Sequence, residues 1–210
     1  EQPISINGLV WMGSIDFMRQ QIFAKIKNGY DCIKLKIGAL DFDLECRLLA
    51  EIRARYSSAE VTLRVDANGA FSPEEVLEKG ERLSEFDVHS IEQPIAAGQL
   101  EAMRKLCGQT PIPIALDEEL IGVLDAADKA ALLDEIEPQY IILKPSLLGG
   151  FTAAEAWIAL AEARNIGWWV TSALESNIGL NAIAQWTATQ NTSMPQGLGT
   201  GGLFTNNIDS

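Results

Sequence analysis

Three acids, Asp66, Glu92 and Asp117, lie at nearly even intervals in this 210-residue chain. Each closes or directly follows a short apolar run: Val61–Asp66, Val88–Gln93 and Ile112–Leu116. Runs this rich in Val, Ile and Leu read as buried parallel strands. Neighbouring strands stand ~4.8 Å apart, so the three carboxylates converge at one rim. Unneutralised, they would repel strongly in a partly buried site. A hard divalent cation with oxygen ligands is the natural remedy, Mg²⁺ first and Mn²⁺ as its substitute. Asn68, two residues past Asp66, could add a ligand or a brace. Any one of these acids alone could equally be a helix N-cap; three on consecutive strands favour the metal site.

Lysines supply the complementary chemistry. Lys34 and Lys36 are two apart in the run Asp31–Ile37, so both project to one face, the interior if Leu35 points outward. Two neighbouring ammoniums are expected to depress each other's pKa. A lysine near neutrality is a general base. Lys144 ends the run Tyr140–Lys144, four strands beyond Lys36, and in a closed eight-stranded barrel it stands on the opposite wall. A metal flanked by two lysines suits removal of a proton α to a carboxylate, because the cation stabilises the charge that develops.

Other polar residues read differently. Arg64 alternates with Asp66 and should point inward one layer lower, as a partner of the acids. Glu118 should face away from the pocket. His89 lies at the start of its strand and reads as structural. The five tryptophans read first as packing, with substrate stacking open to one of them.

The elements that must position these groups have a steady cadence. The polar strand ends Lys36, Asp66, Glu92, Asp117, Lys144 and Ser172 are 30, 26, 25, 27 and 28 residues apart. That is about one βα unit each. Extending the interval backward reaches Trp11 after the run Ile4–Val10, and extending it forward from Gly167–Ser172 reaches Gly199. Helices are expected at Ser14–Asn28, Asp41–Tyr56, Pro73–Phe86, Gly98–Cys107, Leu120–Ile136, Ala153–Arg164 and Asn177–Gln190. Ser72-Pro73-Glu74-Glu75 and Thr152-Ala153-Ala154-Glu155 have the form of capping boxes. The pattern predicts an α/β fold, a lean (β/α)8-type TIM-like barrel, either complete or (β/α)7β without its last helix. An open doubly wound sheet would be expected to carry a Gly-rich phosphate turn after its first strand, and none is present.

Composition narrows the class further. Apolar residues make up 47% and charged residues 21%, as in ordinary globular proteins. A net charge of −13 disfavours nucleic acid as a partner, and no apolar run is long enough to span a membrane. Cys32, Cys46 and Cys107 are scattered and odd in number, which favours buried thiols and a cytoplasmic setting.

Together, Lys34-Leu35-Lys36, Asp66-Ala67-Asn68, Ile91-Glu92-Gln93-Pro94, Leu116-Asp117-Glu118 and Leu143-Lys144-Pro145 resemble the enolase superfamily, muconate-lactonising subgroup. The segment Thr171–Leu180, the opening Asn7–Met12 and the tail Gly199–Phe204 are similar to the o-succinylbenzoate synthases within it. The resemblance implies a Mg²⁺-dependent lyase. It would dehydrate a succinyl-hydroxycyclohexadiene-carboxylate to o-succinylbenzoate, in menaquinone synthesis. It also implies Lys36 as base and then acid, Lys144 as a stabilising cation, and Asp66, Glu92 and Asp117 as metal ligands. Ser172 and the backbone around Gly199 would contact substrate carboxylates. Such enzymes carry an N-terminal capping domain of ~100 residues, and nothing in the chain corresponds to it. Residues 1–210 are therefore expected to be the barrel of a longer chain.

Two other classes stay open. Opposed lysines also suit an N-succinylamino-acid racemase or a dipeptide epimerase of the same superfamily. Gly199-Thr200-Gly201-Gly202 disfavours the epimerase, whose last strand carries an Asp-x-Asp pair. A non-catalytic barrel subunit is the third reading, and the cost of burying so many charges without function weighs against it.

Overall fold

The computed structural model describes residues 3–208. Seven parallel strands form one sheet in sequence order: β1 Gly8–Val10, β2 Cys32–Lys36, β3 Thr62–Asp66, β4 Val88–Glu92, β5 Ile114–Leu116, β6 Tyr140–Leu143 and β7 Gly167–Val170. Helices α1 Ile15–Lys27, α2 Phe42–Arg53, α3 Pro73–Ser84, α4 Leu100–Gln109, α5 Ala126–Ile136, α7 Phe151–Glu162 and α8 Asn177–Thr189 follow the strands in turn. A short helix, α6 Pro145–Leu148, lies between β6 and α7, where the sequence pattern predicts none.

The sheet closes on itself through a very short eighth stave. Gln196 bridges Ile6 and Gly197 bridges Thr171, both in parallel. The Asn7 amide donates to Gln196 O at 2.9 Å, and the Gly197 amide to Val170 O at 2.7 Å. The buried Gln196 side chain accepts from the Val170 amide at 2.7 Å. The expected eighth strand thus exists as a two-residue seam placed slightly before Gly199. Gly197 is required there, because a Cβ would meet Thr171 Oγ1 at 2.3 Å.

Strand faces follow the alternation expected of a barrel. Ile33, Leu35, Leu63 and Val65 are buried against the helices. The amphipathic α2 supplies Leu48, Leu49 and Ile52 to the same core. Some helix boundaries differ from expectation. α7 begins at Phe151 after Gly150, so Thr152 lies inside the helix and is not its cap. α5 begins at Ala126 behind the Asp125 cap, and the predicted start at Leu120 is a separate 3-10 turn, Glu118–Leu120. The Ser72–Glu75 capping box forms as expected.

Candidate active site

Register brings the chemistry to one end of the barrel. Lys34 pairs with Arg64, Lys36 with Asp66, and Asp66 with Glu92 across β2, β3 and β4. Asp117 and Lys144 sit directly after β5 and β6. The loop after Lys36 is held by the buried Glu45 of α2, which accepts from the Gly38 amide at 2.8 Å.

The acids and lysines form a four-residue ionic cluster and a separate ion pair. Asp66 Oδ2 receives Lys34 Nζ at 2.8 Å and Lys36 Nζ at 2.6 Å. Lys34 Nζ also reaches Glu92 Oε2 at 2.6 Å. Lys144 Nζ pairs with Asp117 Oδ2. Asn68 accepts from Lys36 Nζ at 2.6 Å and donates to Glu118 Oε1 at 3.0 Å. Its own amide donates to Asp66 Oδ1 at 3.0 Å, an Asx-type turn that suits its φ of 44°. Strand alternation would turn Glu118 away from the pocket. The 3-10 turn after Asp117 instead brings it to Asn68.

These contacts correct the expected lysine electrostatics. Burial disfavours the Lys34 ammonium, but Glu92 and Asp66 outweigh that and hold its pKa above the ordinary lysine value. Lys144 is likewise raised, Asp117 overcoming its desolvation. The expected depression is absent at Lys34, because Asp66 stands between it and the Lys36 ammonium. For Asp66, burial is outweighed by Lys34 and Lys36, so its carboxyl titrates below the usual range. Glu92 is pushed well above its ordinary value by burial and by the nearby charge of Asp66, which Lys34 only partly offsets.

As they stand, no three Asp, Glu, His or Cys side chains among the described residues are gathered closely enough to hold a metal ion. Lys34 Nζ sits between Asp66 and Glu92, and Asp117 is paired separately with Lys144. The donor set nevertheless fits a hard cation. Asp66, Glu92 and Asp117 are each at most 2% exposed, and Glu92 Oε1 is buried without a hydrogen-bond partner. An orphaned carboxylate oxygen beside two further acids is a place where a divalent ion would relieve the repulsion.

Gln93, in the sequence only a part of the Ile91–Pro94 motif, braces the turn that carries Asp117. Fully buried, its Oε1 accepts from the Asp117 amide at 3.1 Å and the Glu119 amide at 3.3 Å. Its Nε2 donates to Ile95 O at 3.0 Å and Glu119 Oε2 at 3.2 Å.

A cavity of about 280 Å³ opens at this rim. Its lining includes the charged Lys34, Lys36, Glu92 and Lys144 and the uncharged Asn7, Leu9, Trp11, Ser172 and Thr200. Ser172 Oγ lies 2.7 Å from Thr200 Oγ1. Gly199 is exposed and does not line the cavity; its neighbours Gly197 and Thr200 do. Asn7 and Thr200 fall within the segments that resemble the synthases, but the resemblance gives their side chains no role, and Gly197 gives no sequence signal, since a lone glycine is commonplace. Arg64 points inward as expected, but not to the acids. Its guanidinium stacks 3.9 Å from the Trp169 ring, and Nη1 donates to Pro195 O at 2.8 Å. His89 packs against Tyr140 with 4.9 Å between ring centroids, and its pKa is lowered to about 4, first by burial and then by Arg64. The three cysteines are buried and free.

A parallel βα barrel with alternating lysines and carboxylates on its C-terminal rim defines a class of barrel built around acid–base groups. Residues 18–203 match the family model described as "Enolase C-terminal domain-like", and the chain belongs to that family. It is 60% identical, over all 210 residues, to the o-succinylbenzoate synthase of Desulfotalea psychrophila, covering 100% of this chain and 57% of that one. It is 36% identical over 155 residues to the N-succinylamino acid racemase of Thermus thermophilus, covering 73% of this chain and 39% of that one. Among solved structures it is similar to the crystal structure of MenC from Desulfotalea psychrophila LSv54, with a TM-score of 0.92 and 59% identity. That match covers 99% of this chain and 57% of the other. The chain therefore spans little more than half the length of these relatives.

Proposed function

We propose that this chain is the barrel of an o-succinylbenzoate synthase, a hydro-lyase acting on a succinyl-hydroxycyclohexadiene-carboxylate in menaquinone synthesis. The observation that carries the reading is the 60% identity over the whole chain to the Desulfotalea enzyme. Lys34, Lys36, Glu92 and Lys144 lining one cavity, with Asp66 and Asp117 paired to those lysines, support it.

In this reading Asp66, Glu92 and Asp117 hold Mg²⁺, or Mn²⁺ in its place. When bound, the ion supplies positive charge to a substrate carboxylate as its α-proton leaves. Lys36 Nζ, on the cavity wall, takes that proton in its neutral form. The C–O bond on the neighbouring carbon then breaks, and hydroxide leaves as water with the proton Lys36 returns. One base on one face serves both transfers. Lys144 stays cationic and stabilises the negative charge between the two events. Lys34, bonded to Asp66 and Glu92, holds these two carboxylates in place. Asn68 orients Lys36, and Ser172 contacts the substrate's oxygens.

The partner at the open mouth is a capping segment of the same longer chain, consistent with the greater length of the relatives. A second reading, N-succinylamino-acid racemase, is favoured by one observation: lysines from β2 and from the end of β6 line the same cavity, as a two-base reaction needs. The full-length protein should be assayed on the cyclohexadiene substrate beside a panel of N-succinylamino acids. Formation of o-succinylbenzoate supports the first reading. Racemisation without dehydration supports the second.

A further inference from the structure

We propose that Asn7 is a substrate-recognition residue whose carboxamide hydrogen-bonds an uncharged oxygen, a carbonyl or hydroxyl, on the substrate's side arm. This deepens the reading of a succinyl-bearing substrate and rests on it. Asn7 lies just before β1, two residues below Leu9, which pairs with Lys34. Its side chain therefore shares the inward face with Leu9 but sits a layer deeper, at the cavity floor. The residue is 1% exposed, and its Oδ1 is buried with no hydrogen-bond partner.

Folding does not account for that carboxamide. The backbone amide of Asn7 already holds the barrel seam through Gln196 O at 2.9 Å. A leucine there would leave no buried acceptor unsatisfied, so an orphaned carboxamide is a standing cost. The cavity it lines is also bordered by Leu9, Gly197 and Thr200, none of which is charged.

The character of the floor selects the ligand atom. The nearest lysine layer is spent, since Lys34 Nζ is bonded to both Asp66 and Glu92. A carboxylate pushed to this depth would be desolvated without a free cation. A neutral oxygen meets a carboxamide that can offer Nδ2 to a carbonyl or, turned over, Oδ1 to a hydroxyl.

The test uses the full-length protein and its Asn7→Leu and Asn7→Ser variants. The probes are the succinyl-bearing cyclohexadiene, N-succinylamino acids, and analogues of both in which the arm carbonyl is replaced by CH2. Asn7→Leu should lower kcat/KM on the carbonyl substrates about ten- to hundredfold. Asn7→Ser should restore part of it, and the melting temperature of Asn7→Leu should hold or rise. The wild type should discriminate against the CH2 analogues, and Asn7→Leu should not. An active wild type whose Asn7→Leu variant keeps the same kcat/KM and the same discrimination overturns the proposal. A wild type inactive on both substrate classes speaks against the proposed reaction instead. Asn7 is then decided by stability: a fall of several degrees in Asn7→Leu marks a structural residue and overturns the assignment, whereas an unchanged or raised value supports a ligand-directed one.

Discussion

Single side chains in this barrel divide into those held by charge and those left waiting for it. Glu92 is the clearest of the second kind, with one oxygen orphaned and its acidity suppressed by burial and by Asp66. Glu92→Gln should therefore lower turnover by about a hundredfold or more, because the developing substrate charge loses its main stabiliser. Excess chelator should abolish activity in the wild type, and activity that survives chelation would sink the three-carboxylate site. The lysines should not be equivalent. Lys36→Ala should remove o-succinylbenzoate formation altogether, since the proposed reaction routes both proton transfers through this lysine. Lys144→Ala should be severe but leave exchange of the α-proton with solvent deuterium detectable, because in the proposed dehydration its loss removes a charge and not the base. His89 offers a separate check on the interior. It is the chain's one histidine, so its resonances are unambiguous in a titration. The midpoint should lie near about 4, against 6.5 for a free imidazole. Between those values the unfolded chain binds a proton that the folded chain refuses, so this group weakens the fold as pH falls through that window. A midpoint at 6.5 or above would show that the ring is not buried as described.

Elements carry the register that makes these side chains meet. Gln93 joins the end of β4 to the turn after β5 through both ends of its amide, and it adopts a φ of 36° to do so. Gln93→Leu would strand two backbone amides and the buried Glu119 carboxylate. The expected loss is about 3 kcal/mol or more in denaturant unfolding, with weakened Mg²⁺ binding by calorimetry. A variant as stable as the wild type would show that the clamp is redundant. Strand order, strand faces and most of the rim are legible in the sequence, because apolar runs that end in Lys, Asp or Glu at even intervals are what a βα barrel with a charged rim requires. The seam is less so. Two residues, Gln196 and Gly197, take the place of a strand, and no run of β-branched residues announces them. The start of α7 is hidden because Thr152–Glu155 mimics a capping box, while the actual entry is Gly150 at a φ of 94°. Glu118 and Arg64 depart from expectation for a related reason. Alternation fixes which side of a strand a residue takes, but neither the 3-10 turn that redirects Glu118 nor the Trp169 face that captures Arg64 is a local property.

At the scale of the molecule, the barrel is closed at its core and open at its catalytic rim. Leu147 and Leu174 line the cavity, yet they are 42% and 48% exposed. Leu174 holds a φ of 67°, an uncommon backbone for a branched residue, which keeps it at the mouth. The tail beyond the cavity-lining Thr200 exposes Leu203 and Phe204 as well, and Asn207 ties that tail to Asn177 at the start of α8. Apolar side chains gathered at a polar mouth are what a covering segment would bury. Water left at an open rim also weakens every charge interaction the reaction depends on, since those interactions strengthen only when solvent is excluded. The 210-residue barrel by itself should thus turn over substrate at least about tenfold more slowly than the protein at the length of its relatives. Steady-state rates of the two proteins, with circular dichroism and melting curves to confirm that both fold, decide the matter. Equal kcat and KM in a folded barrel would mean that the rim needs no cover, and that the exposed leucines serve some other contact.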